Sequence, residues 1–114
     1  MNPTLRTAKQ EKRYQKDIQD GNIGDISELP APRIGGLKII ENQYPYDAFY
    51  AHNDMLIARE TGFWNFWVKL GQLIENGELD SYAQVIYNLP KHQSQPQIPH
   101  AHIVKFKNRE DFEL

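Results

Sequence analysis

A chain of 114 residues with a formal net charge of −2 is long enough for one domain with a buried core, and its charge balance gives no general reason to expect a nucleic-acid partner. The absence of cysteine excludes disulfides, Cys-ligated zinc and thiol catalysis. No apolar run approaches the roughly 20 residues of a membrane span, and no apolar signal core opens the chain, so the sequence predicts a soluble, cytoplasmic protein.

Residues 1–20 are polar and mixed in charge, with Arg6, Lys9, Lys12, Arg13 and Lys16 set against Glu11, Asp17 and Asp20. Thr4 is placed to cap a helix there and Gly21 to end it. Leu5, Tyr14 and Ile18 give only a thin apolar stripe, which predicts a peripheral helix or a partly disordered arm with a solvated charged face. From Gly21 to Gly36, Gly, Pro and Ser punctuate a loop expected to lie across the domain, with Ile23, Ile26, Leu29 and Ile34 tucked into its surface. Leu37–Glu41 reads as a short strand, Tyr44-Pro-Tyr-Asp47 as a turn, and Phe49-Tyr50 with Met55–Ile57 as the next strand or strands.

Phe63–Asn76 carries the clearest helical period: Phe63, Phe66, Trp67, Leu70, Leu73 and Ile74 recur at helical spacing, with Thr61 as N-cap and Gly77 just past the end. That stripe predicts packing against a sheet, and leaves Trp64 on the other side. Val85–Tyr87 and Ile103–Phe106 are expected as adjacent antiparallel strands, followed by a charged tail over 108–114. The sum is an α+β fold: an antiparallel sheet of about five strands, one main helix packed on it and an N-terminal helical arm. Residues 1–36 form the arm and loop, and residues 37–114 the body of a single domain.

The chemistry concentrates between Ser81 and Phe106. A strand ending in Asn88 leads into a polar loop with Pro90, Pro96 and Pro99, and the next strand opens His100-Ala-His102. Alternate strand residues share a face, so His100 and His102 project side by side near Asn88, His92, Gln93, Gln95 and Gln97. Converging imidazoles and amides suit a phosphate or a metal ion. His-x-His pairs also occur on exposed edges and as zinc ligands, and His52 or His92 would supply a third imidazole, although no carboxylate stands at a matching position.

This stretch resembles the histidine-triad (HIT-like) superfamily of nucleotide hydrolases and transferases, in which a strand-ending Asn, a short Gln/Ser loop and a His-x-His-x-His strand follow one another. The matching pieces are Asn88, Gln95-Pro-Gln97-Ile-Pro99 and His100-Ala-His102-Ile-Val104. Upstream, Lys38–Asp47 is similar to the family's early strand and turn, and His52–Arg59 to its "His…Leu-Ile-Pro-Lys" strand, so the resemblance covers roughly residues 37–107. Two features depart: Val104 stands at the third triad position, and Pro96 and Gln97 replace the usual Gln-Ser of the loop.

The resemblance implies a HIT-like fold, a homodimer and a nucleotide or nucleoside-phosphate ligand; no cofactor or metal is expected, and composition and charge point to no membrane and no specific nucleic acid. It gives His102 the role of nucleophile at phosphorus, through a transient nucleotidyl-histidine, and His100 that of orienting it. Asn88 holds the site from the neighbouring strand, and His52, within one residue of register, supports it from behind. Arg59 stands near the family's Lys, and His92, Gln95 and Gln97 belong to the loop that meets the phosphate. The implied activity is that of a phosphoric ester or anhydride hydrolase or a nucleotidyltransferase. Val104 cannot donate a hydrogen bond, and losing one preorganised donor costs ~10²–10³ in rate. Two alternatives therefore stand beside the enzyme: a non-catalytic nucleotide binder or interaction protein with a vestigial site, and a His-rich metal-binding protein.

Overall fold

The computed structural model describes residues 4–58, 62–93, 95–108 and 110. Five antiparallel strands make one sheet: β1 (Arg33–Ile34), β2 (Leu37–Glu41), β3 (Tyr50–Ile57), β4 (Gln84–Ile86) and β5 (His100–Phe106), in the order β1-β2-β3-β5-β4. Two α-helices, α1 (Ala8–Gln19) and α2 (Phe63–Glu75), accompany it. None of the described helices is long and apolar enough to cross a membrane.

Strand alternation divides the core in two. One face of the sheet presents Leu56, Ala101 and Ile103, joined by Leu37, to Phe66, Leu70 and Leu73 of α2 and to Leu79 beyond it, all of them buried. The other face presents Ile40, Met55 and Ile57, joined by Ile98 and covered by Ile26, Leu29 and Ala31 of the segment between α1 and β1. Each large apolar side chain so buried is worth about 1.5–3 kcal/mol before chain entropy is subtracted. The helical stripe expected of α2 is thus a packing surface, and the loop expected to lie across the domain covers the opposite face.

Both helices end in the same way. Gly77, at φ +75°, sends its N–H to the Ile74 carbonyl while Glu78 N–H bonds Leu73, and Gly21 and Asn22 repeat the pattern on Ile18 and Asp17. A residue at positive φ closes these carbonyls at little cost only if it is glycine. The helix starts differ from expectation. Thr7, not Thr4, is the N-cap of α1, and its hydroxyl donates to Asp47 Oδ2 at 3.0 Å rather than capping the helix. Thr4 instead bonds Glu11. Gly62 occupies the N-cap of α2, and Thr61 lies outside the described residues. The arm is a docked helix, held on the 43–48 turn by Thr7 N–H to Asp47 (2.8 Å), Arg13 Nη1 to the Gln43 carbonyl (2.6 Å) and Tyr44 Oη to Asp17 (2.7 Å).

Tyr50 and the Met55–Ile57 run belong to one strand, with an irregularity between Tyr50 and His52, while Phe49 lies in the turn before it. Strand β1 escapes sequence reading because it has two residues, but Gly35-Gly36 joins it to β2 with φ of +55° and +84°, as a tight hairpin turn with positive φ at both central positions requires. A Cβ on Gly35 would sit 2.6 Å from Leu73 Cδ2 in the core, whereas one on Gly21 would meet nothing within 4 Å. Gly21→Ala should therefore cost only the left-handed backbone penalty of about 1–2 kcal/mol, and Gly35→Ala distinctly more. Urea denaturation of the two variants checks this; equal losses would contradict the packing at Gly35.

Candidate functional site

His100 and His102 emerge from β5 on the face away from α2, opposite Ile57 and Met55 of β3, and both are buried. They border a cavity of about 350 Å³ with an apolar floor of Ile26, Leu29, Ile40 and Met55 and a polar end of Asn88, Gln93 and the two histidines. Arg6 and Tyr14 of the arm, and Tyr44 and Tyr46 of the turn after β2, make a further wall.

The chemistry of His102 is set by its neighbour across the sheet. Asn53 faces the same side as His102, and its Nδ2 lies 3.2 Å from His102 Nδ1. Two backbone groups fix which end of the Asn53 amide points where. Its Oδ1 accepts the Tyr46 N–H at 3.1 Å, and its Nδ2 donates to the Asp54 carbonyl at 3.0 Å. An N–H can only donate and a carbonyl can only accept, so the amide cannot be turned over without breaking both bonds. Asn42 Nδ2 adds a second donor to Oδ1 at 2.9 Å. Asn53 therefore presents a donor to His102 Nδ1, which must be the accepting nitrogen of a neutral ring. The proton resides on Nε2, which donates to Tyr46 Oη at 3.2 Å. The Tyr46 ring covers the imidazole, with centroids 4.5 Å apart, and Asn88 Nδ2 reaches the same hydroxyl at 2.7 Å.

Burial holds the His102 pKa down to about 3, with the neighbouring His100 and the Arg6 cation adding to the effect. Burial also raises the Tyr46 phenol above its ordinary value. His100 takes the opposite tautomer. Its Nδ1 lies 2.8 Å from the Ile98 carbonyl, so Nδ1 carries the proton and the lone pair of a neutral ring is on Nε2.

The structure brings Asn88, His92, Gln95, His100 and His102 to the cavity. Gln95 is spent on architecture: its amide receives the Ile26 N–H at 3.0 Å and donates to the Gly24 carbonyl at 2.8 Å, pinning the covering segment to the loop. Gln97 is exposed and does not line the cavity. Arg59 lies outside the described residues.

His52 is on the opposite side of the sheet. It points with Asp54 toward the α2 face, bonding Asp54 Oδ2 at 2.8 Å, and Tyr82 donates to the same oxygen. The supporting position behind the histidines is filled by the next residue, Asn53. Val104 is fully buried opposite Asn53 and does not border the cavity. Sequence reading missed Arg6, Tyr14, Tyr46 and Asn53; for Asn53 the signal was its parity with Met55 and Ile57. Among the described residues no group of three His, Asp or Glu side chains converges to hold a metal ion. No family model, curated protein or solved structure matches the chain.

Two outcomes follow from this network. Asn53→Ala leaves His102 Nδ1, Asn42 Nδ2 and the Tyr46 N–H without their partner, and should cost about 3 kcal/mol or more in urea unfolding. The His102 pKa is depressed in the folded state from 6.5 to about 3, so the unfolded chain binds the extra proton between those values. Stability contributed by the neutral ring is complete above pH 6.5 and falls as pH drops toward 3, with a slope of up to about 1.4 kcal/mol per pH unit. A His102→Gln variant should lack that component of the slope; an identical acid profile in both proteins would contradict the burial of a neutral His102.

Proposed function

We propose that this chain is a HIT-like nucleotide-binding protein whose cavity holds a nucleoside phosphate without turning it over. The cavity's size, about 350 Å³, falls at the small end of the roughly 300–1,000 Å³ typical of small-molecule sites. Its apolar floor suits a heterocycle, and its imidazole and amide end suits phosphate oxygens. The same order of features, Asn88 and then His100-x-His102 after a polar loop, carries the resemblance in the sequence.

The observation that favours binding over turnover is the proton on His102 Nε2. A histidine that attacks phosphorus needs a lone pair aimed at the substrate. Here the lone pair belongs to Nδ1 and is buried against Asn53, while Nε2 is protonated and covered by Tyr46. Moving the proton to Nδ1 would set two donors face to face at 3.2 Å. A ring with a pKa of about 3 is no general acid either, because its charged form is scarce at neutral pH. The buried Val104 removes the third donor independently.

A homodimer belongs to the same proposal. Trp64 is 77 % exposed on α2, with Phe63 and Val68 half-exposed beside it, an apolar patch that a second copy would cover. Sedimentation at high micromolar concentration should show a dimer, and a persistent monomer would end that part of the reading.

Titration with the four nucleoside monophosphates, read by calorimetry and by the rise in melting temperature, tests the binding claim. At least one should bind, and His100→Ala and Asn88→Ala should each weaken it by about tenfold. Mass spectrometry of quenched mixtures with an activated nucleoside phosphoramidate or aryl ester should show no adduct. A nucleotidyl adduct on His102 would overturn the non-catalytic reading, and no binding by any monophosphate would overturn the nucleotide reading. Zinc, titrated alongside, should leave the melting temperature unchanged.

A further inference from the structure

The N-terminal arm brings one side chain to the cavity that neither its amphipathic pattern nor the resemblance singles out. Arg6 lies just ahead of α1, with its side chain 12 % exposed. Its guanidinium sits between two phenol rings, 4.0 Å from the centroid of Tyr14 and 5.0 Å from that of Tyr46. Nε donates to the Tyr44 carbonyl at 2.7 Å, and Nη1 approaches Glu11 Oε2 at 3.4 Å. Tyr46 is also the ring that covers His102, so the cation and the histidine flank the same phenol.

Among the described residues lining the cavity, Arg6 carries the only permanent positive charge; Asp25 and Glu41 line it too. His102 stays neutral, so it brings no cation to meet an anion. A ligand phosphate entering this space meets one guanidinium and two carboxylates. Arginine is suited to the task because its planar fork stays charged when desolvated and offers paired donors to an oxyanion. The Glu11 contact at 3.4 Å is longer than a good charge-assisted bond, so an incoming anion competes with it on favourable terms.

We propose that Arg6 is the residue that holds the anionic group of the ligand, which makes the N-terminal arm part of the binding site and limits the ligand to a single phosphate. This rests on the nucleotide reading above and adds to it the anion anchor and the charge of the ligand. The contacts of Arg6 also tie the arm to the body, so a loss of affinity in a variant would not by itself separate anchoring from support. Each nucleoside monophosphate is therefore compared with its own uncharged nucleoside. Support for the fold acts on both ligands; an anion anchor acts on the phosphate alone.

For the tightest-binding pair, the wild-type protein should prefer the monophosphate by about tenfold or more. Arg6→Gln should bring the two affinities within about twofold, while nucleoside affinity changes little. Glu11→Gln leaves Arg6 in place and removes its competing carboxylate, so it should raise the preference for the monophosphate above that of wild type. The corresponding triphosphate should bind no tighter than the monophosphate, because further negative charge meets Asp25 and Glu41.

A preference that survives Arg6→Gln, or fails to rise in Glu11→Gln, would overturn the anchor. A triphosphate bound more than about tenfold tighter would overturn the single-phosphate limit. Failure of the wild type to bind any monophosphate would instead overturn the nucleotide reading on which the anchor rests.

Discussion

Across the sheet, the carboxamide of Asn53 faces four partners at once: the Tyr46 N–H, the Asp54 carbonyl, Asn42 Nδ2 and His102 Nδ1. Each bond is ordinary, yet the two backbone partners allow only one orientation, and that orientation decides where the His102 proton resides. The same amide ties the turn carrying Tyr46 to β3, so the phenol that receives the His102 proton is positioned by the group that assigns it. Among the described residues no buried side-chain nitrogen or oxygen lacks a partner. In a low-dielectric site a complete network of this kind is rigid, and losing one member is costly.

That constraint bears directly on what the pair of histidines can do. Adjacent imidazoles on a strand suggest a nucleophile and its helper, but the two rings hold opposite tautomers for local reasons: a carbonyl beside His100 Nδ1 and an amide donor beside His102 Nδ1. His102 is left as a buried, neutral donor whose role is to fix Tyr46. Electrostatics agrees with geometry, since the permanent positive charge among the described residues lining the cavity is that of Arg6 on the arm, and His102 adds none. The cavity itself is assembled from separate stretches, among them the arm, the turn after β2 and the start of β5.

Much of the fold could be read from periodicity. The three- and four-residue spacing of Phe66, Leu70 and Leu73 located α2, and Gly77 marked its end because only the left-handed region closes those carbonyls cheaply. Alternation put His100 and His102 on one face and paired β4 with β5. Other features had no local signal. The two-residue β1 is too short for a period, and its hairpin is visible only as Gly35-Gly36. The placement of His52 failed on parity: one residue of register moves a side chain to the other face of a sheet, and the regular ladder from His52 to Ile57 puts Asn53, not His52, in phase with Met55 and Ile57. Arg6 and Tyr14 reach the cavity through tertiary docking of α1 onto the 43–48 turn, which a thin apolar stripe does not foretell.

The protonation and tautomeric state of His102 is the point on which binding and catalysis divide. Long-range proton–nitrogen correlation of the imidazole rings, followed from pH 8 to pH 4 and assigned with His102→Gln, observes it directly. The expected result is a His102 ring that stays neutral across the range, with its proton on Nε2 and a non-protonated Nδ1. A His102 that carries its proton on Nδ1, or that titrates near 6.5 like an exposed imidazole, would contradict the role assigned to Asn53 and reopen His102 as a nucleophile.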